Sequence, residues 1–368
     1  MIKVIHVISD LKIGGTGRWL LNLLKYTDKS SLLVKVVLPR GSILRQEIEA
    51  LGFETVEIDG MADKSMDTGT IGSMLRIFRN EKPQIVHTHA ALSARIAARL
   101  AGVKLIVHTK HCIDTPKSGI KKNIAAMANR LLSDKVVAVS EATRNSVIAS
   151  GIPADSVETI YNGIDALREL GDDEKSRIRE ELGIEDSELV IGVVARLVEL
   201  KGHKYLLEAV KQLCGRYDNI RLLIVGTGPL ENKLKNYASE LGIADKVVFA
   251  GFRSDVENIM NIIDISVLPS LTEALSLSLI EGMAVGKPCV GSQVGGIPEV
   301  VRDGENGFLV PPGDSKKLAD AIGRLLESGE LRLSMGQKGK AYMEEKFTAS
   351  GMADKIERLY EQCLKGRR

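Results

Sequence analysis

The sequence predicts an α/β protein built from two doubly wound parallel-sheet domains facing a central cleft. At 368 residues it is longer than one hydrophobic core serves well, since cores stop growing near about 250 to 300 residues. Short β-branched runs alternate with segments of helical period along nearly the whole chain, and parallel strands need such long crossovers. The alternation stops once, after Tyr161-Asn162-Gly163-Ile164-Asp165, and restarts at Leu189.

In the first series the strands fall at Lys3 to Ile8, Val34 to Leu38, Thr55 to Ile58, Ile85 to Thr88, Leu105 to Thr109, Val136 to Val139 and Val157 to Ile160. Helices are expected at Gly17 to Lys25, Leu44 to Leu51, Ser73 to Asn80, Leu92 to Ala101, Ile120 to Leu132 and Glu141 to Ala149, where apolar residues recur at helical spacing. The second series has strands at Leu189 to Val194, Arg221 to Val225, Lys246 to Phe249, Ile265 to Leu268, Pro288 to Gly291 and Gly307 to Val310. The boundaries are therefore 1–165 and 166–349. A last helix near Ala353 to Leu364 has an apolar stripe of Ile356, Leu359, Tyr360 and Cys363, whose partner periodicity does not name.

Hydrophobic residues make up 44% and charged residues 27%, with 50 basic against 48 acidic side chains, which excludes a disordered chain and a strongly basic nucleic-acid binder. The excess of cations lies in the first 165 residues, so that half is the one to meet an anionic surface. Cys112, Cys214, Cys289 and Cys363 form no C-x-x-C pair, which argues for reduced thiols in a cytoplasm. The first residues read as a strand rather than a signal peptide, and no apolar run reaches a membrane span. Ile120, Ile124, Met127 and Leu131 share one face of the 117–135 segment with Lys121, Lys122 and Arg130 away from it. That pattern suits either a surface helix or contact with anionic lipid.

Several clusters can carry chemistry. Gly14-Gly15-Thr16-Gly17 follows the first strand and opens a helix, where backbone amides bind phosphate; the alternative is a tight turn needing positive φ. Gly226-Thr227-Gly228-Pro229 closes another strand, with Pro229 suited to a first helical position. Neither fits G-x-G-x-x-G or a P-loop, which disfavours a dinucleotide oxidoreductase and a nucleotide hydrolase. Arg196 and Lys201 follow the strand ending near Ala195, where two cations can clamp a diphosphate and offset charge on a leaving group. Glu273 lies in a loop and Glu281 in a helix beginning near Ser276. Together with that helix dipole they suit a ligand bearing sugar hydroxyls and phosphate; otherwise Glu273 caps the helix and Glu281 is solvated. His87, His89, His108 and His111 fall at or beyond strand ends, with no acidic ligands consistently beside them and no H-E-x-x-H. No metal site is therefore assigned, and His111 is best placed to reach a ligand.

Taken in order, these segments resemble the family 4 retaining glycosyltransferases, whose GT-B fold has two Rossmann-like domains. The resemblance runs through Gly14-Gly15, His111, Asn162-Gly163-Ile164-Asp165, Arg196 with Lys201-Gly202, Gly226 to Pro229, the E-x7-E pair Glu273 and Glu281, Gly295 to Glu299, and Asp303 to Gly307. It implies an acceptor-side N-terminal domain and a C-terminal domain holding a nucleotide-sugar, UDP-linked by family habit. Arg196 and Lys201 would hold the diphosphate, Glu281 the ribose and Glu273 the donor sugar. Ala274, Leu275 and Ser276 stand where relatives have Gly-Phe-Gly, and Gly282 where Ala is frequent. Backbone around Gly251 to Arg253 would meet the base, Gly15 the phosphate and His111 the sugar near its reacting carbon. The final helix, about 350–368, would cross back to the first domain. Retention without metal or other cofactor is implied, consistent with the absence of D-x-D. A saccharide or lipid-linked acceptor in envelope polysaccharide synthesis follows by analogy, at the inner face of the membrane. An epimerase on the same scaffold and a non-catalytic sugar-nucleotide sensor are the alternatives, and the sequence assigns no oligomeric state.

Overall fold

The computed structural model describes residues 1–113, 127 and 129–366. The chain divides into two compact units, Met1–Asp165 together with Thr348–Arg368, and Ala166–Phe347.

The first unit alternates β1 (Ile2–Ile8), α1 (Gly15–Tyr26), β2 (Leu32–Pro39), α2 (Leu44–Ala50), β3 (Glu54–Ile58), α3 (Thr68–Glu81), β4 (Ile85–His89), α4 (Leu92–Leu100), β5 (Leu105–Lys110), β6 (Lys135–Ala138), α5 (Glu141–Ala149) and β7 (Val157–Thr159). The sheet is parallel in the order β3-β2-β1-β4-β5-β6-β7. Because side chains alternate across a strand, Val4, Ile8, Ile85, Leu105 and Val107 pack with Trp19 and Leu20 of α1 on one face. Ile5, Val7, Val86 and Ile106 pack with Met74, Phe78 and Ala94 on the other.

The second unit runs α6 (Asp172–Glu181), β8 (Leu189–Val194), α7 (His203–Cys214), β9 (Ile220–Val225), α8 (Glu231–Glu240), β10 (Val247–Gly251), α9 (Val256–Ile262), β11 (Ile265–Leu268), α10 (Leu277–Ala284), β12 (Cys289–Ser292), α11 (Ile297–Val300), β13 (Gly307–Val310), α12 (Ser315–Glu327) and α13 (Gly329–Lys346). Its parallel sheet has the order β10-β9-β8-β11-β12-β13. In both sheets the winding reverses once, between β1 and β4 and between β8 and β11. Ligands of open α/β sheets bind at such switch points, beyond the carboxyl ends of the strands.

The last helix, α14 (Ala349–Lys365), belongs to the first unit: Met352, Ala353, Ile356, Leu359 and Tyr360 join the core around Trp19. The returning chain lies so close to Gly163 that a Cβ there would sit 2.2 Å from the Thr348 carbonyl oxygen, so only glycine fits.

Four expectations need correction. Helix α3 begins at Thr68, not Ser73, because Asp67 caps it from Gly69 N at 3.0 Å while Gly69 and Gly72 give no apolar signal. Pro229 does not open a helix, since α8 starts at Glu231 and Pro229 and Leu230 form a turn closed by Glu231 N donating to Gly228 O at 3.2 Å. His89 does end β4 but is buried, and His87 and His108 lie buried within β4 and β5, two residues before the strand ends. Glu281 is also buried rather than solvated. Most of the 117–135 segment lies outside the described residues.

Candidate functional site

In the second unit, the loops beyond β8, β9 and β11 gather most of the charged candidates. Arg196 follows β8, is exposed, and makes no ion pair among the described residues. Lys201 ends the short turn Glu199–Lys201, which Gly202 closes in the left-handed region at φ 69°. A Cβ on Gly202 would also meet the Pro269 carbonyl oxygen at 1.9 Å, so the loops beyond β8 and β11 touch through glycine. Leu271 N donates to Leu200 O at 2.8 Å and ties them further.

That approach brings Lys201 and Glu273 together, with Nζ 2.5 Å from Oε2 and the two side chains 25% and 12% exposed. Ser270 Oγ donates to the same carboxylate oxygen at 3.4 Å. Glu273 does not cap α10. Ser276 does, its Oγ accepting from Leu279 N at 3.2 Å. Ala274 and Leu275 are buried and have no positive φ, so replacing a flexible glycine by Ala274 leaves no backbone strain. Glu281 lies one turn into α10. Gly282 has a direct cause: a Cβ there would be 2.8 Å from Ser266 of β11, closer than real Cβ atoms approach.

Gly226 has φ 134°, and a Cβ on it would stand 2.1 Å from Ala195 O. Its N–H donates to Gly251 O at 2.7 Å, which holds the ends of β9 and β10 together. Gly251 has φ 65° with open space where a Cβ would point. Arg253 turns its guanidinium away to Asp255, at 2.8 Å from both carboxylate oxygens, and to Glu181, which leaves only its backbone for a ligand. Beside it Phe252 is 71% exposed, an aromatic face that pattern analysis missed because a lone Phe has no periodic signal. A cavity of about 560 Å³ also opens in this unit, around Gly202, Tyr205, Leu230 and Tyr237. Its lining includes none of Arg196, Lys201, Glu273 or Glu281, so it is separate from the charged cluster.

In the first unit, Gly14 precedes α1 in extended conformation, φ −101°, and neither it nor Gly15 has positive φ. The tight-turn reading of these glycines therefore fails. A Cβ on Gly14 would meet nothing within 4 Å, and no side chain caps the helix, so the first amides of α1 stand open to an anion.

His111, just beyond β5, is half-buried and touches two groups that the sequence did not connect with it. Its Nε2 lies 3.1 Å from His89 Nδ1, and Trp19 of α1 meets its ring edge-on at 5.5 Å between centroids. His6 Nδ1 lies 3.2 Å from His89 Nε2. Burial pushes the His111 imidazole down to about 3, with Lys110 adding to the effect, and His6 down to about 3, so both rings are neutral. His6, His87 and His89 offer nitrogens within 4.8 Å of one another, which is metal-like spacing. Those nitrogens already hydrogen-bond to one another, to Tyr360 and to Thr109, so the cluster is satisfied without an ion.

Asp10, just after β1, was also missed. Burial and the neighbouring Asp63 raise its carboxyl to about 6. The available signal was an acid at a strand's carboxyl end, without a second residue in sequence to support it.

Comparison with known proteins accounts for both units. Residues 13–168 match the family described as Glycosyltransferase Family 4, and residues 174–342 match Glycosyl transferases group 1. The chain is 30% identical to N-acetyl-alpha-D-glucosaminyl L-malate synthase of Bacillus anthracis, over 81% of this chain and 80% of that protein. It is 29% identical to UDP-Gal:alpha-D-GlcNAc-diphosphoundecaprenol alpha-1,3-galactosyltransferase of Escherichia coli, over 79% and 78% of the two chains. Among solved structures, Anabaena HepE in complex with UDP and glucose superimposes with a TM-score of 0.87 at 23% identity, covering 98% of this chain and all of that one. The lipopolysaccharide glycosyltransferase WaaG gives 0.74 at 16% identity, over 96% and 98%. The chain therefore belongs to glycosyltransferase family 4 and has the GT-B fold.

Proposed function

We propose that this glycosyltransferase moves a hexosyl group, with retention, from a UDP-sugar to a hydroxyl of a saccharide or lipid-linked saccharide in envelope polysaccharide or glycoconjugate synthesis. The observation that carries this reading is the exposed Arg196, without an ion pair among the described residues, in the same loop as Lys201 at the switch point of the second sheet, where Lys201 meets Glu273 and the helix carrying Glu281 begins. The UDP-sugar named for the Escherichia coli relative and the UDP in the HepE complex support the donor class.

In this reading Arg196 and Lys201 bind the diphosphate. Glu281 accepts hydrogen bonds from ribose hydroxyls, and Glu273 from the donor sugar. Backbone at Gly226 and from Gly251 to Arg253 frames the nucleotide. Ala274, Leu275 and Ser276 line the loop around the leaving group, and the open amides at Gly14 and Gly15 add donors for phosphate. The C1–O bond to the diphosphate breaks as the acceptor oxygen bonds to C1 on the same face, and the acceptor proton passes to the leaving phosphate oxygen. Charge growing on that phosphate is offset by the two cations and the α10 dipole, so the transfer is metal-independent. His111 is the first unit's contribution beside the reacting carbon. Among the described residues no helix is long and apolar enough to cross a membrane, and peripheral attachment at the inner membrane face would bring a lipid-linked acceptor within reach.

A thermal-shift panel of nucleotide sugars tests the donor, because a ligand at 100 times its Kd adds about 2.7 kcal/mol of apparent stability. A UDP-sugar should raise the Tm, and Arg196→Ala or Lys201→Ala should abolish most of the rise. Full stabilisation of both variants would refute the clamp.

A further inference from the structure

We infer that Tyr360, His87, His6 and His89 form a buried hydrogen-bonded chain that fixes the tautomer and ring orientation of His111, and are positioning residues for the transfer. The inference rests on the reading of His111 given above, but its first test does not.

The links are continuous. From the outside inward, His111 Nε2 meets His89 Nδ1 at 3.1 Å, and His89 Nε2 meets His6 Nδ1 at 3.2 Å. His6 Nε2 meets the Tyr360 hydroxyl at 3.4 Å, which meets His87 Nδ1 at 2.5 Å, and His87 Nε2 ends on Thr109 Oγ1 at 2.6 Å. His6, His87, His89, Thr109 and Tyr360 are all at most 1% exposed. Water does not reach them, and leaving one of these groups unpaired costs about 1–3 kcal/mol.

A neutral imidazole has one N–H donor and one bare nitrogen. Burial lowers the pKa of every histidine in the chain, which keeps all four rings neutral at physiological pH. A head-to-tail chain of neutral rings then has two proton arrangements, each the reverse of the other at every link. In one, Tyr360 O–H donates to His87 and accepts from His6 Nε2–H. His6 Nδ1 accepts from His89 Nε2–H, and His89 Nδ1 accepts from His111 Nε2–H, so His111 presents a bare Nδ1. In the other, every donor becomes an acceptor and His111 presents Nδ1–H.

The single proton of the Tyr360 hydroxyl goes to one side or the other and every link out to His111 follows it, so no ring changes tautomer unless the others do and His111 is held in one tautomer toward a sugar hydroxyl. Trp19 edges against the His87, His89 and His111 rings at 4.9 to 5.7 Å between centroids and restricts their rotation.

The test is long-range ¹H–¹⁵N NMR of the ligand-free full chain with labelled histidine. His111 should appear as one neutral tautomer. Tyr360→Phe removes only the shared hydroxyl, so His111 should become a mixture of tautomers. With the donor found by the thermal-shift panel, kcat should fall about 5- to 30-fold, with KM for that donor within twofold. An unchanged His111 tautomer in Tyr360→Phe, or a mixture of His111 tautomers in the wild type, overturns the inference. If Tyr360→Phe does not fold, the wild-type spectrum and His89→Gln, with loss of the single tautomer expected, decide it. His111→Ala separates the two readings: full activity there, with the tautomer fixed in the wild type, would remove His111 from the reaction and leave the chain intact.

Discussion

If Lys201 is to clamp a diphosphate, it must first leave Glu273, and this sets up a measurable competition. The pair is close, at 2.5 Å, and only partly shielded, with side-chain exposures of 25% and 12%. Exposed ion pairs contribute about 0.2–1 kcal/mol, whereas breaking a fully buried pair costs about 3–5 kcal/mol. A pair between these limits holds Lys201 back by about 1–2 kcal/mol, or about 5- to 30-fold in affinity. Glu273→Gln keeps the shape and removes the charge, so UDP without a sugar should bind about 5- to 30-fold more tightly by titration calorimetry. Lys201→Ala should weaken UDP by more than about tenfold, given about 1.5–3 kcal/mol for a hydrogen bond to a charged group. In the Lys201→Ala background most of the gain from Glu273→Gln should disappear, because the two changes act through one contact. UDP binding no tighter in Glu273→Gln, or an undiminished gain without Lys201, would refute the competition.

Two further outcomes follow from geometry and burial. Gly226→Ala would place a Cβ 2.1 Å from the Ala195 carbonyl oxygen at φ 134°, so urea unfolding should show a loss of at least about 3 kcal/mol; a loss below about 1 kcal/mol would contradict the clash. Acid should unfold the first unit early. Its five histidines, four buried and His111 half-buried, have folded pKa values below the unfolded 6.5, so the stability present above pH 6.5 falls with pH, each group contributing up to about 1.4 kcal/mol per pH unit. Asp10 works the other way, since its raised pKa, about 6, makes the native state the better proton binder between about 6 and 3.8, but it is one group against five. For an ordinary stability of about 5–15 kcal/mol, circular dichroism should show unfolding between about pH 4.5 and 5.5, and a native unit at pH 4 would contradict neutral burial.

The sheet strands and the glutamate pair were legible because each announces itself locally. Ile265 to Leu268 is an apolar run, and Glu273 and Glu281 straddle a Ser-capped helix start. The Lys201–Glu273 contact was not legible, because it joins residues 72 apart in the chain and depends on Gly202 letting their two loops come within van der Waals range. Sequence alternation does put His87 and His89 on one face of a strand. It does not say that β1 pairs with β4 so that His6 stands opposite His87, or that β4 pairs with β5 so that His89 stands opposite Thr109. Tyr360 reaches the same place only because α14 returns to the first unit, and nothing in its own helical period names that destination.

The register also explains why so costly a cluster sits where it does. On the sheet face covered by α1 and α14, β4 runs Ile85, His87, His89 and β5 runs Leu105, Val107, Thr109, with His111 next. Apolar groups occupy the amino ends, and imidazole or hydroxyl groups take over toward the carboxyl ends. The opposite face follows the same gradient, from Val86 to Thr88 and from Ile106 to His108, with Thr88 Oγ1 3.3 Å from His108 Nδ1. Buried polar networks are often no more stable than well-packed hydrocarbon of the same volume, and this one still leaves Trp19 Nε1 without a partner among the described residues. A core that gives up packing energy at the strand ends, where an open α/β sheet meets its ligands, is better explained by the need to hold His111 in one protonation and one orientation than by stability.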